Sequence, residues 1–98
     1  MRWIAIFHDT PEMVRARTAE GLSKHLAYLR QHVDEILIAG GFREAPEGQI
    51  VGGLWVMEVK ARARAVELVE HDPYFASGYR TYRLLAWDKA LKEQAVSL

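Results

Sequence analysis

His25 and Asp72 carry the two side chains of this sequence best suited to moving a proton. His25 lies within an amphipathic stretch, and Asp72 heads the run Asp72-Pro73-Tyr74-Phe75. A free imidazole titrates near about pH 6.5, so a modest environment makes it a general base or a general acid close to neutrality. A carboxylate bonded to one ring nitrogen fixes the tautomer and stabilises the cation, which is the arrangement proton transfer requires. Both residues also have ordinary readings. A histidine on a helix shoulder commonly packs or hydrogen-bonds, and an acid before proline at a helix end is a chain-reversing device.

Other residues extend or rival this pair. Tyr74 and Phe75 are candidates for a wall that excludes water and grips a flat substrate, although core filling suits at least one of them. Asp34 is the rival carboxylate, but it lies about 180° round from His25 if the helix persists, so pairing needs the helix to end or bend first. His32 with His71 or His8 would suggest zinc, yet the sequence has neither a close histidine pair nor any cysteine, and no metal is expected. Arg15 and Arg17 have the chemistry to orient a substrate carboxylate, the alternative being plain exposed charge.

These residues need elements to hold them. Trp3 to His8 reads as a strand, ending at Asp9-Thr10-Pro11, where a cap and a first-turn proline announce a helix. From about Pro11 to Val33 the residues Leu22, Leu26, Leu29 and Val33 recur as one buried helical stripe, with His25 about 60° to its side. Glu35 to Ala39 is a strand stopped by Gly40-Gly41, and Ile50 to Val59 is the longest strand. Ala61 to Glu70 is a helix ended by Pro73, Tyr79 to Trp87 a last strand, and Asp88 to Val96 a short terminal helix. The order is β-α-β-β-α-β, the ferredoxin-like α+β arrangement with two helices on one face of an antiparallel sheet. That topology lets the shoulder of the first helix meet the end of the second.

The first and third strands are apolar on both faces, with Ile4 and Ile6 opposing Trp3, Ala5 and Phe7, and Leu54 and Val56 opposing Trp55 and Met57. Two helices cover one face only, so a homodimer packed through the open sheet face is expected. With 98 residues the chain has room for one domain with one core. Thirteen basic residues balance thirteen acidic ones, so no positive field favours nucleic acid or anionic lipid. Neither a signal-peptide pattern nor a membrane-spanning run is read at the start of the chain, and a cytoplasmic setting is the expectation.

Several runs together resemble the YciI-like (YCII-related) family: His25-Leu26-Ala27-Tyr28-Leu29, Ala39-Gly40-Gly41, Gly52-Gly53, Glu58, and Asp72 through Tyr79. The resemblance covers nearly the whole chain. It implies a small dimeric α+β barrel related to muconolactone isomerase, without a cofactor, whose site is a His-Asp dyad. That dyad carries over onto His25 and Asp72, with Tyr74, Phe75, Gly40 and Arg15 as expected substrate contacts. The one activity associated with the family is dehydrochlorination of a chlorinated hydroxyhydroquinone, a lyase reaction. The chain departs from the family in having Gly41 where proline is usual and Gly53 where serine is common. It also places Lys60, Arg62 and Arg64 where acids usually open the second helix, either a solvated basic face or an anion-binding edge. The resulting expectation is an isomerase or lyase acting on a small aromatic or enol-type molecule. A non-catalytic dimer that binds a metabolite or a partner is the alternative, and a cofactor-independent oxygenase is a third reading.

Overall fold

A computed structural model describes residues 1–94 and has the expected element order, with one helix divided in two. β1 (Arg2–Asp9) leads into α1 (Pro11–Ala16) and α2 (Ala19–Gln31). β2 (Ile36–Phe42) and β3 (Gly52–Glu58) follow, then α3 (Arg62–Glu70), a 3₁₀ turn (Phe75–Ser77) and β4 (Arg80–Ala86). The sheet runs β2-β3-β1-β4 with every neighbouring pair antiparallel, which is the ferredoxin-like α+β topology.

Pairing register assigns the faces. Ala5, Phe7, Trp55, Met57, Tyr82 and Leu84 share one face, and Ile4, Ile6, Leu54, Val56 and Leu85 share the other. The first face carries the core, where Ala5, Phe7, Trp55 and Met57 pack with Ile36, Val59 and the α3 residues Ala65, Leu68 and Val69. Phe7 and Trp55 meet edge to face at 5.1 Å, the geometry that their ring quadrupoles favour. The second face leaves Ile38 51% and Leu85 41% exposed.

Four local expectations are corrected. The helix expected over 11–33 breaks at Arg17-Thr18, both extended, because Thr18 starts a new helix by accepting a hydrogen bond from Gly21 N at 3.0 Å. Val33 lies beyond the end of α2 and is exposed, and Leu22 and Leu26 are also open to solvent rather than buried. Gly40-Gly41 does not stop β2: a side chain at Gly53 would come within 2.8 Å of Gly40 O, so these glycines let two paired strands lie close together. The terminal helix is absent over 88–94, which forms bends and a turn, while 95–98 lie outside the described residues. A helix so short needs an apolar face to bury, and Leu91 stays exposed.

Arg64, partly exposed, is paired rather than left as a free basic face or an anion-binding edge. Its Nε and Nη2 donate to Glu35 at 2.8 and 2.7 Å, a bidentate pair fastening α3 to the turn before β2. The Arg64 hydrogen bonds hold the Glu35 carboxyl below the usual range. Replacing Thr18 by alanine removes the α2 cap and is expected to lower stability by about 1 kcal/mol, read as a lower urea midpoint with an unchanged slope.

Candidate active site

Asp72 is positioned by the chain reversal after α3. Its N–H donates to Val69 O at 3.3 Å, its carbonyl accepts from Phe75 N at 2.9 Å, and its own Oδ1 accepts from Tyr74 N at 3.4 Å. This is the local bonding that aspartate favours in turns. It turns the carboxylate inward, with none of its side chain exposed. His25 reaches it from α2, its Nδ1–H donating to Asp72 Oδ1 at 2.7 Å. With Nδ1 engaged, Nε2 is the ring nitrogen left for a ligand. Tyr74 then lies over the imidazole at 4.2 Å between centroids and 12° between planes, so the ring is fixed both by its bond and by its stack. Tyr28 lies close behind the dyad, where burial, with the Asp72 charge adding to it, pushes its hydroxyl up to about 12. That hydroxyl donates to Leu68 O at 2.7 Å, joining α2 to α3.

His25 lines a cavity of about 400 Å³ between α2 and the sheet. Trp55 and Tyr74 contribute aromatic walls, and Leu22 and Leu26 an aliphatic one. The α2 stripe therefore faces an open cavity, which accounts for its exposure. Glycines supply the floor. A side chain at Gly52 would meet Phe7 O at 2.2 Å, so that position must stay bare.

Behind two further lining residues, Arg17 and Arg80, Asp9, fully buried in its side chain, holds both guanidiniums. Arg80 donates to Asp9 through Nε at 2.6 Å and through Nη2 at 3.2 Å. Arg17 donates to Asp9 Oδ2 and, at 3.2 Å, to Ile50 O. Burial opposes the Asp9 charge, but the hydrogen bonds and charges of Arg80 and Arg17 outweigh it and hold the carboxyl below its usual value. Both guanidiniums also lie 5.5 Å from the centre of the Tyr74 ring.

Of the residues expected at the site, the structure brings His25, Asp72, Tyr74 and Gly40 to the cavity or directly behind it. Phe75 instead packs against the core, edge to face with Tyr82 at 5.6 Å. Arg15 points away on α1, largely exposed and 3.8 Å from Glu12. It is Arg17, freed by the break between the helices, that enters the cavity. Asp34 is exposed in the turn after α2, apart from the dyad. The ring of His32 lies beside Tyr28, that of His71 bonds Glu67 O, and His8 is exposed on the second sheet face. Among the described residues no three His, Cys, Asp or Glu side chains gather as metal ligands. Asp9 and Arg80 were missed. Alternation along β1 and β4 carried the signal, since both continue the apolar core face as charges.

A family model described as the YCII-related domain matches residues 1–88. The chain belongs to the YCII-related family. Among solved structures, this family member is similar to 5-chloro-2-hydroxyhydroquinone dehydrochlorinase (TftG) from Burkholderia phenoliruptrix, in complex with 2,5-dihydroxybenzoquinone. The TM-score is 0.79 at 24% identity, over 90% of this chain and 94% of the other, which establishes the shared fold. No protein of curated function matches the sequence significantly. No helix of the described residues is long and apolar enough to cross a membrane.

The Asp9 cluster has a pH signature. Because the folded state lowers the Asp9 pKa, its stabilisation is complete above the unfolded carboxyl value of about 3.9 and is lost as pH falls through the folded value. Asp9→Asn is expected to flatten that acid limb of urea midpoint against pH. At neutral pH it should cost about 3 to 5 kcal/mol, since Arg80 is left buried without its counter-charge.

Proposed function

We propose that this YCII-related protein is a cofactor-free lyase or isomerase acting on a small hydroxylated aromatic or enol-type molecule. His25 Nε2 is the proton acceptor, and Asp72 fixes the ring tautomer and stabilises the imidazolium. The observation that carries this reading is the 2.7 Å Nδ1–Oδ1 bond of a dyad whose imidazole lines a cavity walled by aromatic and aliphatic side chains. In the reaction His25 takes a proton from an acidic O–H or C–H group of the ligand, and the electron pair left behind forms a new double bond. In isomerisation the imidazolium returns the proton to another ligand atom. In elimination a leaving group departs with its bonding pair, so that the ligand loses H–X overall. Tyr74 and Trp55 suit a flat ring, and the dry wall strengthens the charge interactions that develop during transfer.

The fold shared with the dehydrochlorinase makes 5-chloro-2-hydroxyhydroquinone the first substrate to assay. Chloride release is expected from the wild type, and His25→Ala should lower kcat by about 10² to 10⁴-fold. Asp72→Asn should lower kcat with KM little changed, because the lost carboxylate orients the base and touches no substrate. If His25→Ala left the turnover of an identified substrate intact, the assignment of proton transfer to His25 would be wrong.

We further propose that the active form is a homodimer joined through the second sheet face. Ile4, Ile6, Leu54, Val56 and Leu85 share that face, and Ile38, half exposed, pairs with Val56 on it. An apolar sheet of this kind is covered by a second copy in a symmetric contact. Ile38→Lys is expected to give a folded monomer, measured as a halved mass by light scattering with unchanged far-ultraviolet circular dichroism. An unchanged mass would place any contact elsewhere.

A further inference from the structure

We propose that Arg17 and Arg80, held by Asp9, form an anion subsite in the cavity that the imidazole also lines, so that the ligand is a planar molecule bearing an anionic oxygen. The inference rests on reading the cavity as a ligand site and goes beyond the dyad in specifying the charge that site selects. Among the described residues the cavity is lined by the basic side chains Arg17, His25 and Arg80 and by no acid. Among them too, the acid paired with the two arginines is Asp9, whose single negative charge faces two guanidinium charges.

A structural ion pair would need one arginine. Arg80 alone already satisfies both Asp9 oxygens in a fork, with its own side chain 5% exposed. Arg17 is therefore surplus to neutralising Asp9. It leaves a net positive charge beside an apolar wall, an arrangement that costs desolvation unless a counter-charge arrives. A guanidinium has five N–H donors, and the bonds to Asp9 and Ile50 O engage only part of the ten that these two arginines offer.

The surroundings keep this subsite open to a ligand. The bare position at Gly53 lies against Arg80, where a Cβ would stand 3.8 Å from Nη2. Thr18 and Ala19, at the start of the 13-residue α2, line the same cavity, so the positive pole of that helix adds to the two cations. Tyr74 spans the site, with the imidazole stacked on its ring and both guanidiniums 5.5 Å from its centre. The imidazole and both guanidiniums are thus held around one aromatic ring and line the same cavity, within reach of one small ligand. A substrate oxygen that ionises as His25 takes its proton would have its charge stabilised by the same cations. Asp9 acts as a positioning residue, aiming both guanidiniums while touching no ligand.

The test measures binding without turnover on the full chain. Calorimetry compares 2,5-dihydroxybenzoquinone, a vinylogous diacid that is anionic at neutral pH, with its neutral ether 2,5-dimethoxybenzoquinone. The wild type is expected to bind the anion more tightly. Arg17→Gln, which leaves the Asp9–Arg80 fork in place to hold the fold, should weaken the anion by about tenfold or more and the ether by no more than about twofold. Arg17→Lys should restore part of the preference by restoring the charge. A wild type that binds the anion no better than the ether overturns the proposal, as do equal losses of both ligands in Arg17→Gln. Because no reaction is monitored, anion binding through Arg17 in a chain that turns nothing over would sink the catalytic reading alone.

Discussion

Keeping a carboxylate ionised where no water reaches it requires charges brought from elsewhere in the chain, and at Asp9 one comes from 8 residues on and the other from 71 residues on. Asp9 ends β1, Arg80 opens β4 beside it, and Arg17 arrives from the break between α1 and α2. Removing either ion from such a buried pair leaves an uncompensated charge, so the ends of these elements are held together strongly. The cavity depends on that constraint. It sets where α2 begins, and so which α2 residues look across at Trp55 and Tyr74.

The dyad likewise gathers a buried carboxylate and its hydrogen-bond partner from two elements. Asp72 is turned inward by its own turn and receives the imidazole from a helix 47 residues earlier in sequence, with Tyr74 closing over the ring. Tyr74 couples the two polar clusters, since one aromatic ring contacts the imidazole and both guanidiniums. Base, aromatic wall and cations therefore form one continuous lining. Charges beside such a largely apolar lining interact more strongly than they would in water, which suits the site to chemistry in which charge moves.

Much of the architecture was legible in the residue pattern. Alternation in β1 and β3 and the turn at Asp72-Pro73 identified the strands and one end of the site, and topology followed from element order. The family motifs pointed to His25 and Asp72 together. The helix divides at Thr18, where a side-chain cap starts α2; the leucine stripe begins only at Leu22, so its period carries no information on the chain before that cap. That single break moved the cavity arginine from position 15 to 17. The cap that Asp9-Thr10-Pro11 announces is Thr10, which accepts from Met13 N and leaves Asp9 to the core face.

The sequence by itself determined the class of fold, the two apolar faces of the sheet, and the family, because these depend on periodicity and on short contiguous motifs. Tertiary structure alone decided that Leu22 and Leu26 wall a cavity, that Phe75 fills core while Tyr74 stacks on His25, and that Asp9 gathers Arg17 and Arg80. Most of those outcomes depend on which surfaces meet across long stretches of chain, as in the separations of 47 for His25 to Asp72 and 71 for Asp9 to Arg80. No local pattern encodes such meetings, since the energy of a buried charge or ring is set by neighbours that only the folded chain supplies.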